Sequence, residues 1–235
     1  PAGVVGMRRG LLVGLVVLAV LGVGGYVADA AVRGRVESEA ASALRTRLSL
    51  DQAPQVSLGG FPFTLALLTG TVPDARATAA QVPLEVGTSR VSLSGVRVQA
   101  SGISLAGDAV RVARAEATGV LDYGDLSAII GVPVAYAGDG RITATYTVDA
   151  GPQDVSVGIT ALPVLDTDAG TIRLTEPEQD ASSRNTIRLS RAQLARVAAP
   201  IPVALGDGAR LVSFAPSEGG VAVAAVVTGV SLPVA

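Results

Sequence analysis

The stretch "SRVSLSGVRVQAS", residues 89–101, sets apolar side chains between serine, arginine and glutamine at nearly every second position. A period of two is the signature of a β-strand with one face buried and the other in water. The same texture returns in "GRITATYTVDA" (140–150), "DVSVGIT" (154–160), "GTIRLTE" (170–176), "ARLVSFAP" (209–216) and "GVAVAAVVTGVSLPV" (220–234), bounded by glycine, proline, aspartate and serine. These segments predict antiparallel strands. Two interruptions read as short helices: "DYGDLSAIIG" from Asp122, and "LSRAQLARVAAP", where Ser190 can cap and Pro200 stops the helix.

Upstream the period changes. Val32, Val36, Ala40, Ala43, Leu44 and Leu48 recur at helical spacing, and Arg33 with Glu37 and Arg35 with Glu39 stand at i,i+4 on other faces. This amphipathic helix is expected to continue from "GLLVGLVVLAVLGVGGYVADAA" (10–31), which follows Arg8 and Arg9 and carries no charge until Asp29. Such a run can cross a hydrocarbon core of roughly 30 Å as a helix. The arginine pair puts the N-terminus in the cytoplasm and the rest outside. Ala28, Asp29 and Ala30 have the small-x-small form of a signal-peptidase site, so a cleaved signal peptide competes with an uncleaved anchor. The resulting division is a cytoplasmic N-terminus (1–9), a transmembrane anchor or signal peptide (10–31) and an extracytoplasmic domain (32–235). The fold expected of that domain is α+β: one long helix, a large antiparallel sheet of roughly seven or more strands, and two small helices.

Composition excludes several chemistries. Histidine and cysteine are absent, which removes Cys/His metal sites, the cysteine nucleophile and a Ser-His-Asp triad. No cofactor is expected. A net charge of −2, with arginines scattered singly along the chain, argues against nucleic acid. The densest acidic region holds Asp166, Asp168, Glu176, Glu178 and Asp180 without the spacing of a calcium loop, and reads as a solvated loop. Asp122 and Asp125 read as helix-capping residues. An enzyme using paired carboxylates would need Asp122 or Asp125 to face Asp166 or Asp168. The two Gly-Asp-Gly triplets at 138–140 and 206–208 read as turns, and Tyr123, Tyr136 and Tyr146 as buried rings that satisfy their own hydroxyls rather than a head group. Arg184, Arg188, Arg191 and Arg196 read as a solvated face.

The strands' apolar residues are small, with Val, Ala, Leu and Ile in place of Phe or Trp. Either the sheet packs closely on the helix or it leaves a long apolar groove; composition alone favours close packing. Aromatic residues make up only 3% of the chain, yet two of its three phenylalanines flank Pro62 in "VSLGGFPFTLALLTG" (56–70). In an extended chain Phe61 and Phe63 point to one side, Pro62 withholds an N–H from any ladder, and Leu65, Leu67 and Leu68 extend the apolar surface. Read from the residues, these rings anchor a loop on the core.

The succession of an N-terminal apolar run, a helix, "VSLGGFPFTLALLTGTVPDARATAAQVPL", "VSLSGVRV" and "IPVALGDGARLVSFAPSEGGVAVAAVVTGVSLPV" resembles the LmeA-type phospholipid-binding proteins of actinobacteria, over residues 32–233. The resemblance implies a lipid-tunnel architecture of the BPI/TULIP kind, in which a large curved antiparallel sheet wraps a long N-terminal helix. It also implies a non-enzymatic envelope protein that binds phospholipid or glycolipid, meets the membrane, and supports lipoglycan mannan elongation beside a glycosyltransferase. Under it Phe61, Pro62, Phe63, Leu65, Leu67 and Leu68 become the lipid-binding candidates. A non-catalytic envelope scaffold that pairs through a sheet edge is the alternative.

Overall fold

A computed structural model of the chain describes residues 29–60, 69–86, 89–106, 109–149, 154–179, 190, 200–203, 205 and 208–233. Helix α1 (Asp29–Arg47) is followed by β1 (Gln55–Leu58), β2 (Thr71–Val86), β3 (Ser89–Ala106) and β4 (Ala109–Leu121). Helix α2 (Tyr123–Ile130) then leads into β5 (Val134–Gly138), β6 (Arg141–Asp149), β7 (Asp154–Asp166) and β8 (Thr171–Gln179). Strands β9 (Ile201–Pro202), β10 (Ala209–Ser217) and β11 (Gly220–Pro233) close the chain. All pairings are antiparallel and form two sheets, in the orders β1-β2-β3-β4-β11-β10 and β5-β6-β7-β8-β9.

This corrects the expected architecture. A long helix inside one large curved sheet is not what the described residues form; they are mostly antiparallel strand, divided between two sheets, with one helix of 19 residues and one of 8. The physical reason is that α1 ends at Arg47: Leu48 and Leu50 donate back to Leu44 and Arg45, Ser49 takes a positive φ of 51°, and the chain turns into β1. No described helix is long and apolar enough to cross a membrane. The transmembrane or signal segment expected at 10–31 lies outside the described residues up to position 28, as does the second short helix expected across 191–199.

Both α1 and the second sheet lie on one face of the first sheet. Val36, Ala40 and Leu44, one helical stripe, pack with Leu58, Val72, Ala75, Ala77, Val96 and Val98 in a first core. At the other end of the same face Val91, Leu121 and Val221 meet Leu126 of α2 and Val134, Ile142 and Ala144 of the second sheet. Leu84 and Leu93 touch both cores. Where one tunnel around a helix was expected, the helix instead meets the sheet through close-packed Val, Ala and Leu side chains, with Val36 and Ala40 each 1% exposed and Leu44 fully buried.

The alternation that decided the strands is interrupted in a coordinated way. In β3, Ala100 and Ile103 are both buried with two outward residues, Ser101 and Gly102, between them. The same two-residue skip separates Val72 from Ala75 in β2, Val112 from Ala115 in β4, and Val227 from Val230 in β11. Register aligns the four skips: Asp74 pairs with Ser101, Ser101 with Arg114, and Arg114 with Thr228. Gly102 makes the crossing possible, because its φ is +63° and a methyl built there would stand 2.7 Å from the Ala113 Cβ. A second skip, at Ala80 and Gln81 in β2 and Ser94 and Gly95 in β3, stops there; β4 alternates without a break from Ala115 to Leu121, and the mismatch appears as the β3–β4 bulge between Ser94 and Arg97.

Candidate functional site

The lipid-binding candidates Phe61, Pro62, Phe63, Leu65, Leu67 and Leu68 lie outside the described residues; the frame from which they depart does not. Strand β1 pairs with β2 from Gln55 opposite Thr78 to Leu58 opposite Ala75, and the Gly59 amide then donates to the Asp74 carbonyl at 2.8 Å. Beyond that point β2 runs on without β1, from Asp74 back to Thr71, paired among the described residues with β3. The chain leaves the sheet at Gly60, whose φ is +105°.

Helix α1 clamps this departure. The Arg33 guanidinium donates to the Gly60 carbonyl at 2.6 Å, and the Glu37 carboxylate accepts from the Leu58 amide at 2.8 Å. One turn of helix thus fixes both sides of Gly59 and occupies an edge amide that would otherwise await a partner. A methyl built on Gly59 would fall inside the Asp74 carboxylate, which also lies 3.6 Å from the Arg76 guanidinium. The glycine pair therefore has two distinct reasons: Gly59 for close approach, Gly60 for its backbone. The sequence reading assigned Arg33 and Glu37 to a helix face but not to this clamp, because contacts over 27 and 21 residues leave no mark in helical spacing.

The other singled-out residues are structural and separate. Asp122 caps α2 by accepting from the Gly124 amide, as expected, while Asp125 accepts from the Ser92 amide at 2.8 Å where β3 runs past the end of β4. Asp166 accepts from the Ala169 amide and pairs with Arg173, which hold its carboxyl below the usual carboxylate range. Arg141 spans Glu176 and Glu178 across a β7–β8 register shift. Asp180 and Arg184, Arg188, Arg191 and Arg196 lie outside the described residues. Tyr123 donates to the Ser217 carbonyl at 2.8 Å and stacks on Tyr136 with centroids 6.5 Å apart, tying the two sheets together; partial burial pushes its hydroxyl up, and that of Tyr146 likewise. Asp139 and Gly140, both at positive φ, turn β5 into β6 as the first Gly-Asp-Gly triplet predicts. Among the described residues no three His, Cys, Asp or Glu side chains gather as a metal site.

Register also does what the linear sequence hides: it gathers arginines. Arg76, Arg97, Arg111, Arg114 and Arg210 all point from the first sheet away from both cores, amid Ser, Thr and Gln.

Fold and frame together define a class: a two-sheet antiparallel β protein with a helix-clamped glycine pair at the edge of its first sheet. The chain belongs to the LmeA-like phospholipid-binding family, whose model matches residues 27–226. No curated protein and no solved structure matches it.

Proposed function

We propose that the protein binds phospholipid at the end of the first sheet where Gly59 and Gly60 release residues 61–68, as a non-catalytic component of the cell envelope. Family membership supports phospholipid as the partner. The observation that carries the location is the Arg33–Gly60 hydrogen bond. It sets the first turns of α1, which follow the apolar segment 10–28 in sequence, beside Gly60, which precedes the Phe-Pro-Phe motif. Each acyl CH₂ taken from water is worth about 0.8 kcal/mol, and ten give roughly 8 kcal/mol before ordering costs, so apolar contact suffices to hold a lipid. Membrane attachment with the domain on the extracytoplasmic side, or secretion after cleavage, and an accessory role beside a glycosyltransferase in lipoglycan elongation, complete the reading.

Native mass spectrometry with lipid extraction, on protein purified from a membrane-containing host, tests it. Phospholipid is expected to co-purify with the wild type and to be lost from Phe61→Ser/Phe63→Ser, with an unchanged circular dichroism spectrum. Equal lipid in the variant would move the site elsewhere. A wild type that neither carries nor takes up phospholipid would sink the function. For the accessory role, deletion in the native host is expected to shorten the mannan of its lipoglycans, and full-length mannan would refute it.

A further inference from the structure

We infer that the outward face of the first sheet docks on an anionic phospholipid bilayer, with the second sheet turned away from it. This goes beyond a single bound lipid: the partner is the membrane surface itself. Six arginines occupy outward positions of this sheet, Arg90 among them, against Asp74, Glu85 and Glu116; Asp74 lies 3.6 Å from Arg76 and Glu116 3.8 Å from Arg114. Arg97, Arg111 and Arg210, all exposed, have no carboxylate partner among the described residues. Short polar residues flank two of them across the strands, Thr78 and Thr118 beside Arg97 and Ser104 and Ser231 beside Arg111, while Arg210 stands opposite the buried Val226. The guanidinium groups of Arg97 and Arg111 can therefore reach past the surface without being screened by bulky side chains, and each presents several donors in the geometry that suits a phosphate.

Charge on the opposite side gives the orientation. Residues 122–179, which form α2 and β5 to β8, hold nine Asp and Glu against two Arg. The second sheet packs on the inward face of the first, through Val91, Leu121 and Val221, so this acidic layer lies across the first sheet from the arginines. Near a negative surface such a molecule is both attracted and turned: the arginine face goes toward the lipid head groups and the acidic layer toward water. The modest overall charge of −2 conceals this separation.

The absence of cysteine allows a direct test on the full chain, since one introduced thiol can be labelled uniquely. Gln99→Cys puts a fluorophore in the cross-strand row between Arg76 and Glu116, and Thr167→Cys puts one on the β7–β8 turn of the acidic layer. The protein is reconstituted on phosphatidylcholine vesicles with or without phosphatidylglycerol, each carrying a lipid-borne quencher. Quenching at 99 but not at 167 is expected on phosphatidylglycerol vesicles alone, fading as salt is raised. Arg97→Gln/Arg111→Gln/Arg210→Gln is expected to abolish the contrast at unchanged circular dichroism. At low salt each arginine near the surface gives roughly a fivefold gain in docked over undocked protein, so the triple variant loses about a hundredfold. Equal quenching at both positions, a contrast on phosphatidylcholine alone, or one that survives the triple variant would overturn the inference. Phospholipid extracted from the same protein reports separately on the lipid site: lipid present with no contrast defeats only the docking face, and contrast without lipid defeats only the proposed function.

Discussion

Replacing Gly102 by alanine tests the coordinated skip across the first sheet. Two costs can be worked from the structure. The residue sits at φ +63°, a left-handed conformation that costs an ordinary side chain about 1–2 kcal/mol. Its new methyl would also stand 2.7 Å from the Ala113 Cβ, and a backbone-fixed methyl has no rotamer by which to withdraw; overpacking of that kind costs about 1–3 kcal/mol. The sum centres on roughly 3.5 kcal/mol, which in a chain of this size lowers the melting temperature by about 7–14 °C. Thermal unfolding of the full chain in mild detergent, followed by circular dichroism in the β-sheet band, measures it. Ala113→Gly removes only the second cost, so Gly102→Ala/Ala113→Gly is expected to regain about 1–3 kcal/mol relative to Gly102→Ala, a coupling visible in a double-mutant cycle. A Gly102→Ala protein that melts with the wild type, or a double variant that melts with Gly102→Ala, would refute this reading of the strand contact.

Leu44→Ala, at a fully buried position of α1, is expected to cost about 2–5 kcal/mol in the same assay. Asp125→Ala strips the Ser92 amide of its acceptor and is expected to cost about 1–3 kcal/mol, with Asp125→Asn recovering most of it because an amide oxygen can still accept. The lowered pKa of Asp166 makes its contribution complete above the ordinary carboxylate range and lost as pH falls through the depressed value, so Asp166→Asn is expected to flatten the acid limb of a melting-temperature profile over that window. Tyr123 runs the other way: its raised value means stability is fully present below about pH 10 and lost as pH rises through the folded value, so Tyr123→Phe is expected to shift alkaline unfolding upward in ultraviolet-monitored titration.

Local structure was largely legible in the sequence, and assembly was not. The stripe Val36, Ala40, Leu44 points inward as its spacing requires, and Asp122 caps α2 where an aspartate opens the expected helix. Alternation states which side chains share a face, but it does not name a strand's neighbour. The pairing of β11 with β4 joins Val221 to Leu121 across a hundred residues, and nothing in either segment excludes another partner. One sheet and two sheets have the same periodicity, and for this reason the expected single sheet failed. The arginines illustrate the same limit: Arg97 and Arg210 read as scattered along the chain, and come onto one face only through three registers. At the candidate site the clamp by Arg33 and Glu37 spans 27 and 21 residues and required the helix to be placed.

The two skips in the first sheet behave like line defects in a crystal. A defect that traverses a lattice leaves perfect order on both sides, and the line through Pro73, Gly102, Ala113 and Gly229 is of that type: every strand it meets slips by the same step, so the ladder stays in register across it. A defect that ends inside a lattice must terminate somewhere, and the line through Gln81 and Gly95 terminates between β3 and β4 as the bulge at Ser94 and Arg97. Sequence change in this sheet is therefore collective. A one-residue deletion at Gly102 alone would throw half of β3 out of phase with both neighbours, while the same deletion made in all four strands together would erase the line and leave an ordinary, uninterrupted ladder.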